Sequence, residues 1–508
     1  SPSPPPAANP PPASTWVNDQ IGVTWGDTPV VQDWDDGHFW RTPERVTLAR
    51  QGDAPWTWDR WSAFWFWVEQ PHRPAPWGPG QYHFEGTLDA VHPDNPKKVA
   101  QFNIQEPAAA NPNTLIVLEG IPRPYDCIYP DSNCYGTGER IQGLFSDPIL
   151  GDGSVNRDNH WADYVYHAVD YFKQFDIHHY QAFNEPNLGY WNDVGGNTDP
   201  ENEGYANDYA RLVEVTLAAA RAADPQARIV LAASVSNLDE YRSGTWLDAA
   251  YRHIIREQLY NDVEIAFHSY RVSSWTREMF ERVRANWPQL AARPVWITES
   301  GIALCSDTIP GQVCANTEEE QAAYVIQQFA YALTIGAERV FHHRLADDCE
   351  ADFGLYANDQ TSGNGENRKC SLTGNYTPRV ALTAFKVISN YLQGGKFLKE
   401  ESLLPSTTTG YARLVFNQPN QKVTVLWATR KDDVTVNLAI APATCTYLVD
   451  QAGNWRKIEG PSYPLRLPKA TIDSTWNDLP IIGGYTYLLI ETNEPCPPPG
   501  DGTAGTPE

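Results

Sequence analysis

The sequence has 508 residues, and its 63 acidic side chains outnumber 38 basic ones to give a formal net charge of −25. An acidic surface repels nucleic acid phosphates and anionic lipid, so we expect neither as a partner, and its plainest role is to keep the protein soluble. No stretch of about 20 apolar residues occurs, which excludes a membrane-spanning helix, while the length allows a large core and a second module.

Proline-rich segments stand at both ends of the chain. Residues 1–14 read SPSPPPAANPPPAS and predict an extended tether without a core. The tail 497–508 has a similar composition and is predicted to be disordered. The chain begins with neither Met nor a signal peptide, so we expect a processed form.

Between these segments, strand-like apolar runs alternate with amphipathic helices, which is typical of parallel β/α units. The clearest helix is predicted near 160–175, where apolar side chains recur at helical spacing. A second helix near 205–223 stops at Asp224-Pro225. Further helices are predicted near 245–259, 276–291, 317–335 and 378–392. The predicted strands are Ile21–Trp25, Trp61–Val68, Thr114–Leu118, Ile177–Asn184, Arg228–Ser234, Val263–Tyr270, Val295–Thr298 and Arg339–His342.

Eight β/α units within residues 15–394 predict an α/β fold, a (β/α)8 TIM barrel with inserted loops. A doubly wound sheet is the alternative, but no glycine-rich phosphate loop follows the first strand. From residue 395 to residue 496, short strands separated by turn residues predict a C-terminal antiparallel β-sandwich domain. Its predicted strands are Gly410–Phe416, Lys422–Ala428, Val434–Ile440, Cys445–Val449 and Tyr485–Ile490.

The eight cysteines form an even set whose order favours local disulfide pairs. Zinc is the competing interpretation, but no C-x-x-C pair occurs, so disulfides are favoured. Disulfides indicate an oxidising environment, and we therefore expect a secreted, extracellular protein. The order along the chain suggests the pairs Cys127–Cys134, Cys305–Cys314, Cys349–Cys370 and Cys445–Cys496.

Two glutamates follow the apolar runs of the fourth and seventh predicted strands. Glu185 lies between Asn184 and Pro186, and Glu299 follows the run Val295–Thr298. The C-terminal ends of barrel strands point into the active-site mouth. Retaining cleavage of a glycosidic bond needs two carboxyl groups about 5–5.5 Å apart, one ionised and one protonated. A lone glutamate at a strand end is more often a solvated loop residue, but the pair, with the neighbouring amide, predicts catalysis.

The segments Asn184-Glu185-Pro186 and Thr298-Glu299-Ser300-Gly301 resemble the two signatures of the clan A glycoside hydrolases, which are retaining enzymes built on (β/α)8 barrels. The resemblance implies that Glu185 is the general acid/base, that Glu299 is the nucleophile, and that Asn184 donates to the sugar 2-hydroxyl. The acid/base must have a raised pKa, and the negative charge of Glu299 is the expected cause.

A second resemblance, to glycoside hydrolase family 39 and related barrels, extends over residues 20–390. Gly52–Glu69, followed by Pro79–Phe84 and Leu88-Asp89, is similar to the strand-two region of these families. There a Trp and a Glu-Pro precede a "G-x-Y-x-F … L-D" run, whereas this sequence reads Glu69-Gln70 and lacks the proline. The C-terminal sandwich resembles the β-domains that accompany these barrels.

Further polar side chains are predicted at the same rim. His268 and Tyr270 lie on one face at the end of the sixth strand, where clan members similarly use a His-x-Tyr pair. Tyr270 is expected to donate to Glu299, and His268 to bind substrate or tune the carboxylates, with satisfied core residues as the alternative. Arg60 stands where the related families place an arginine near the nucleophile, and a surface arginine is the alternative.

Aromatic and acidic residues complete the predicted site. His342 and His343 end the eighth strand, where many clan members carry a tryptophan platform; one of them, with His342 the candidate, is expected to reach the sugar. Most tryptophans in a barrel are core, so only Trp65, Tyr190 and Trp191 are predicted to stack on substrate. The acidic segment 347–352 offers ligands to Ca²⁺ but lacks the EF-hand spacing, so a solvated loop is favoured, and we expect no metal or cofactor.

Together these features predict a retaining O-glycosyl hydrolase acting on β-linked oligo- or polysaccharides of the plant cell wall, in a xylosidase- or arabinosidase-like role. An endo-β-glucanase or mannanase is the alternative within the clan, because the inserts 120–158 and 186–204 either wall off a pocket or line a cleft. An inactive carbohydrate-binding scaffold is the alternative from another class. A third interpretation makes the sandwich an independent sugar-binding module.

Overall fold

Among the residues that the structure describes, eight parallel strands close into a barrel. Each strand pairs with the next along the chain, and the first closes the ring against the last. The predicted (β/α)8 fold is confirmed. The strands are β1 (Ile21–Thr24), β2 (Trp58–Phe64), β3 (Thr114–Glu119), β4 (His179–Ala182), β5 (Arg228–Leu231), β6 (Val263–Tyr270), β7 (Val295–Gly301) and β8 (Arg339–His342). The structure is a computed structural model that describes residues 20–24, 47, 49, 55–73, 75–85, 90–92, 95–100, 104–127, 140–186, 203–233, 246–270, 272–305, 314–347, 351–358, 375–401, 410–471, 475–476 and 479–496.

Helices follow the strands where the sequence predicts them, and their first turns show why they begin there. The Asn159 side chain accepts from the backbone N–H of Ala162 at 3.1 Å, and Thr317 accepts from that of Glu320 at 3.2 Å. These caps satisfy N–H groups that a helix start leaves unpaired. No described helix is long and apolar enough to cross a membrane. The longer helices are α1 (His160–Phe172), α2 (Glu203–Ala223), α3 (Trp246–Arg256), α4 (Trp275–Asn286), α5 (Glu318–Thr334) and α6 (Val380–Tyr391), and the short ones are Trp65–Val68, Gln105–Ala110, Arg123–Tyr125, Lys173–Phe175, Leu259–Asn261 and Pro288–Ala291.

The predicted second strand, Trp61–Val68, is wrong in its second half. Strand β2 ends at Phe64, and the chain turns into the short helix Trp65–Val68. The backbone N–H of Glu69 donates to the Trp65 carbonyl at 2.9 Å, and the Trp65 indole N–H donates to the Glu69 carboxylate at 2.6 Å. Both bonds join residues four apart, so they favour a helical turn over an extended strand.

The interior of the barrel is filled by side chains from alternate strand positions, so it is a packed core rather than a pore. Gly22 of β1 faces the Phe341 ring, and a Cβ at position 22 would lie 2.4 Å from a ring carbon. At the opposite end from the active-site mouth, the Arg339 guanidinium lies 4.7 Å from the centre of the Trp58 ring. The interior cluster consists of Trp58, Leu115, Val230, Ala233, Ala266, Trp296 and Phe341.

After the barrel, the chain forms the predicted antiparallel β-sandwich. One sheet has the strand order Lys396–Glu400, Tyr411–Asn417, Gln421–Ala428, Tyr487–Thr492, Cys445–Asp450 and Trp455–Lys457. It packs over the strand pair Val434–Ala439 and Ser462–Leu467. Paired short strands also occur at Ala90–His92 with Asn95–Ala100, Ala303–Leu304 with Cys314–Ala315, Tyr356–Asn358 with Tyr376–Pro378, and Thr475–Trp476 with Leu479–Pro480. The sandwich strands are β9 (Lys396–Glu400), β10 (Tyr411–Asn417), β11 (Gln421–Ala428), β12 (Val434–Ala439), β13 (Cys445–Asp450), β14 (Trp455–Lys457), β15 (Ser462–Leu467) and β16 (Tyr487–Thr492).

Helix α5 joins the sandwich to the barrel. The Gln327 side chain donates to the Gly484 carbonyl at 3.1 Å and to the Thr486 hydroxyl at 3.0 Å. The rings of Tyr331 and Trp427 meet edge to face with centroids 5.7 Å apart. One apolar core runs from the barrel helices into the larger sheet of the sandwich. The two units therefore share buried surface.

Disulfides join the predicted cysteine pairs wherever the structure describes both partners. Cys305–Cys314 and Cys445–Cys496 are bonded. Cys127 is also disulfide-bonded. The predicted partners Cys134, Cys349 and Cys370 lie outside the described residues, as do the tether 1–14 and the tail 497–508.

Candidate active site

Glu185 and Glu299 meet at the C-terminal mouth of the barrel. Glu185 lies three residues beyond the end of β4, and Glu299 lies within the last residues of β7. One oxygen of each carboxyl group and one ring nitrogen of His268 all lie within 4.8 Å of one another. The two glutamates that sequence places on separate strands thus face a common point.

A register shift in β7 turns Glu299 into the barrel. Strand β6 pairs Phe267 with Ile297 and then His268 with Glu299, so Thr298 is an extra residue opposite the partner strand. Such a bulge reverses the alternation of side chains. Trp296 and Glu299 consequently both face the interior, although they are three residues apart.

The backbone around Glu185 is strained. Glu185 has φ of 39° and Phe183 has φ of 74°, a left-handed region that costs a non-glycine residue about 1–3 kcal/mol. The Phe183 backbone is held on both sides, because its N–H donates to the Leu118 carbonyl at 3.0 Å and its own carbonyl accepts from Gln181 at 3.1 Å. Strain maintained by neighbouring contacts is typical of functional sites.

Arg60 of β2 is buried and contacts three residues of the mouth. Its guanidinium donates to Glu299 Oε1 at 2.6 Å, to Asn184 Oδ1 at 2.8 Å and to Gln181 Oε1 at 3.1 Å. Arg60 is therefore a buried partner of Glu299, and the alternative of a surface arginine is wrong. Gln181 was not predicted from the sequence, although its polar side chain near the end of the fourth predicted strand was an available signal.

His268 and Tyr270 of β6 face the same carboxylates. The Tyr270 hydroxyl donates to Glu299 Oε2 at 2.5 Å. His268 Nδ1 lies 2.6 Å from Glu185 Oε1 and 3.5 Å from Glu299 Oε2, so a hydrogen on Nδ1 would face both carboxyl groups. His268 is fully buried, and its Nε2 has no hydrogen-bond partner among the described residues.

The surroundings drive the pKa values of the two glutamates apart. Burial alone would raise the pKa of Glu299, but His268 and Arg60 favour the charged carboxylate, and the pKa falls well below its usual range. The pKa of Glu185 is raised, chiefly by burial, while the His268 contact opposes that rise. The charge of Glu299 contributes to this elevation but is not its main cause, which corrects the sequence-based expectation.

The two histidines at the end of β8 point in opposite directions. His342 points outward: its Nε2–H donates to the Phe353 carbonyl at 3.1 Å, and its ring lies edge to face with Phe385, with centroids 5.7 Å apart. His343 points inward, and its Nδ1 lies 3.8 Å from Glu299 Oε2. His342 was the predicted substrate contact, and this choice is wrong, because side chains alternate along a strand and Phe341 already faces the interior.

Trp65 has no face available for a sugar. Its side chain is fully buried, stacks on Tyr164 with ring centroids 5.0 Å apart, and packs against Trp161 and Tyr125. The prediction that it stacks on substrate is therefore wrong, and it belongs to the core around α1. Tyr190 and Trp191 lie outside the described residues.

Two groups of side chains offer possible metal ligands. Glu185, His268 and Glu299 are close enough to share an ion. However, the fixed positive charge of Arg60 already lies on Glu299, which disfavours a cation there. In the acidic segment 347–352, Asp347 is fully buried and pairs with Arg379, so the interpretation as a solvated loop is wrong for this residue.

Solved structures share this fold at low sequence identity. The catalytic domain of a GH30 xylanase C from Talaromyces cellulolyticus matches with a TM-score of 0.51 and 12% identity, over 93% of this chain and 97% of that chain. A conserved exported protein from Bacteroides fragilis matches with a TM-score of 0.53 and 13% identity, over 93% and 97%. No protein-family model and no curated protein sequence matches the chain. These likenesses establish the architecture.

Proposed function

We propose that the chain is a retaining glycoside hydrolase in which Glu299 is the nucleophile and Glu185 is the general acid/base. The observation that carries the proposal is the carboxyl pair itself, with oxygens within 4.8 Å and pKa values shifted in opposite directions. Retaining enzymes hold these groups about 5–5.5 Å apart, whereas inverting enzymes leave about 6.5–9.5 Å for a water molecule.

The reaction is a double displacement. An oxygen of ionised Glu299 bonds to the anomeric carbon, the bond to the glycosidic oxygen breaks, and Glu185 gives its proton to that oxygen. Glu185 then takes a proton from water, whose oxygen attacks the same carbon and releases Glu299. Each step inverts the carbon, so the product keeps the original configuration.

The neighbouring side chains support these opposite roles. Arg60 and Tyr270 donate to the two different oxygens of Glu299, which keeps the carboxylate ionised and fixes its orientation. His268 donates toward Glu185 and favours its charged form once its proton has left. Asn184, whose side-chain oxygen accepts a hydrogen bond from Arg60, donates an amide N–H to the sugar 2-hydroxyl in this proposal.

For the substrate we propose a β-linked oligo- or polysaccharide of the plant cell wall, cleaved in a xylosidase- or arabinosidase-like manner. The resemblance to family 39 supports this choice, and the xylanase with the same fold makes xylan a reasonable test substrate. An endo-β-glucanase or mannanase is the second candidate. The inserts 120–158 and 186–204 decide between pocket and cleft, and their residues 128–139 and 187–202 lie outside the described residues. Disulfides support an extracellular location.

The test combines a substrate panel with matched variants. Aryl β-xyloside, arabinoside, glucoside and mannoside and the corresponding polysaccharides are incubated with wild type, Glu185→Gln and Glu299→Gln. Glu264→Gln is the control, because Glu264 is an equally buried carboxyl at the other end of β6 that pairs with Arg228. We expect both site variants to lose activity and the control to keep it, with NMR showing a β-anomer as the first product.

Two results would reject the proposal. Full activity in Glu185→Gln or Glu299→Gln would remove the assigned roles, and an α-anomer as first product would remove the retaining mechanism. A wild type that binds glycans without hydrolysing any of them would favour the inactive scaffold.

A further inference from the structure

His343 occupies a tightly defined position beside Glu299. Its ring is held edge to face by Tyr270 and by Phe353, with centroids 5.9 Å and 5.2 Å away. Its backbone carbonyl packs on Gly301, where a Cβ would lie 2.2 Å from that oxygen. The position allows little freedom for the imidazole, so the orientation of its two nitrogens is set by the surroundings.

The neighbouring Arg344 fixes which nitrogen of His343 carries hydrogen. Arg344 Nε donates to His343 Nε2 at 3.0 Å. Arginine has only donors, so Nε2 must be the acceptor and the ring hydrogen must sit on Nδ1. The Nδ1–H group then donates to the Thr24 hydroxyl at 3.0 Å, with Glu299 Oε2 3.8 Å away.

The same contacts keep His343 uncharged. Burial lowers the pKa of His343 well below its usual range, and the Arg344 charge lowers it further. A proton on Nε2 would also face the Arg344 donor directly. The ring is therefore a neutral group with a fixed dipole, whose positive N–H end lies near Glu299.

We propose that His343 is a positioning residue for the nucleophile. Arg344 fixes the tautomer of His343, so that the Nδ1–H group of His343 points toward the Thr24 hydroxyl and Glu299 Oε2. This role rests on the proposed function, but the tautomer does not. At a position where the resemblance leads one to expect a tryptophan platform, this chain offers a polar ring edge to the nucleophile.

Other groups around Glu299 limit the size of the effect. Arg60 approaches from β2, His268 and Tyr270 approach from β6, and Glu185 faces it from beyond β4. Removing His343 leaves the Arg60 and Tyr270 contacts in place. We therefore expect a partial loss, about threefold to tenfold in kcat, the range of one modest hydrogen bond.

The first experiment reads the tautomer without any substrate. Two-bond proton–nitrogen NMR of ¹⁵N-histidine-labelled protein is recorded for wild type and for Glu299→Gln, with His343 assigned by its absence in His343→Asn. We expect the Nδ1–H tautomer and a shift of that nitrogen when the charge of Glu299 is removed. An Nε2–H tautomer would overturn the inference, and so would a His343 nitrogen shift that is the same in wild type and in Glu299→Gln.

The second experiment tests the positioning role by measuring kcat and KM of variants at position 343. Asparagine places an N–H near the Nδ1 position, so His343→Asn should keep kcat within about twofold of wild type, whereas His343→Leu should lose about threefold to tenfold with little change in KM. His342→Asn is the control for loss of a buried imidazole. Equal kcat in all variants would overturn the positioning role. If wild type hydrolyses none of the substrates, the proposed function fails. The NMR result alone then decides whether the Nδ1–H group of His343 interacts with Glu299.

Discussion

Replacing Arg60 by methionine tests how the site keeps Glu299 ionised. The Arg60–Glu299 contact is 2.6 Å, and both side chains are buried. At that distance the attraction is about 6 kcal/mol with an effective dielectric of about 20. Breaking a buried pair from one side costs about 3–5 kcal/mol, because the remaining charge stays buried. We expect Arg60→Met to lose stability of this size at neutral pH.

The pH dependence gives the sign of the effect. Glu299 has a lowered pKa in the folded protein, so its contribution to stability is present above the unfolded value of about 4.3 and is lost as the pH falls through the folded value. In Arg60→Met the folded pKa rises, so this contribution disappears. The stability gap between wild type and variant should therefore narrow by about 1.4 kcal/mol per pH unit below about pH 4.3.

The assay is urea unfolding of a double-mutant cycle across that pH range. In a Glu299→Gln background, the penalty of Arg60→Met should shrink to the lost contacts with Gln181 and Asn184. Arg339→Met is the control, since Arg339 lies over interior tryptophan rings at the other end of the barrel. The same Arg60→Met penalty in both backgrounds, at every pH, would refute the reasoning.

Three further predictions concern packing, the disulfides and the acid/base. Gly22→Ala should lower the free energy of unfolding by about 1–3 kcal/mol in chemical denaturation, because the new methyl group meets the Phe341 ring. Adding Phe341→Leu should recover part of that loss, and an unchanged free energy of unfolding in Gly22→Ala would contradict the packing. Replacing the Cys445–Cys496 pair by serines should lower the free energy of unfolding by up to about 4 kcal/mol, because the two cysteines are 51 residues apart. The same change at Cys305–Cys314, which are nine residues apart, should cost less. The reverse order of melting temperatures would contradict this. The pKa of Glu185 is raised in the folded protein, so the stability that its protonated form contributes is fully present below the unfolded pKa of about 4.3 and is lost as the pH rises through the folded pKa. Glu185→Gln has no proton to lose, so its free energy of unfolding should rise relative to that of wild type by about 1.4 kcal/mol per pH unit between these two pKa values. Urea midpoints of the two proteins that stay parallel over this range would contradict it.

Much of the architecture could be predicted from the sequence, because the spacing of the apolar residues and the positions of the residues that end helices agree with the observed fold. The observed β6 (Val263–Tyr270) and β8 (Arg339–His342) match their predicted ranges. The run after Phe64 was not readable, because a short apolar segment satisfies either a strand or a buried helical turn. Its helical turn depends on the Trp65–Glu69 bonds.

The site, too, could be predicted from the sequence only in part. Both glutamates were identified from their position at strand ends, but simple alternation from Trp296 would turn Glu299 outward. Only the bulge at Thr298, which depends on pairing with β6, brings it inward. Likewise, the sequence presents His342 and His343 as equivalent, and the direction of each follows from which neighbour fills the barrel.

The most direct measurement is covalent trapping of the nucleophile. Wild type is incubated with 2-deoxy-2-fluoro β-glycosides that carry good leaving groups, and the protein is analysed by intact mass and peptide sequencing. The account predicts a single sugar on Glu299, formed also by Glu185→Gln and absent from Glu299→Gln. An adduct on any other carboxylate, or none on an enzyme that hydrolyses the parent glycoside, would contradict it.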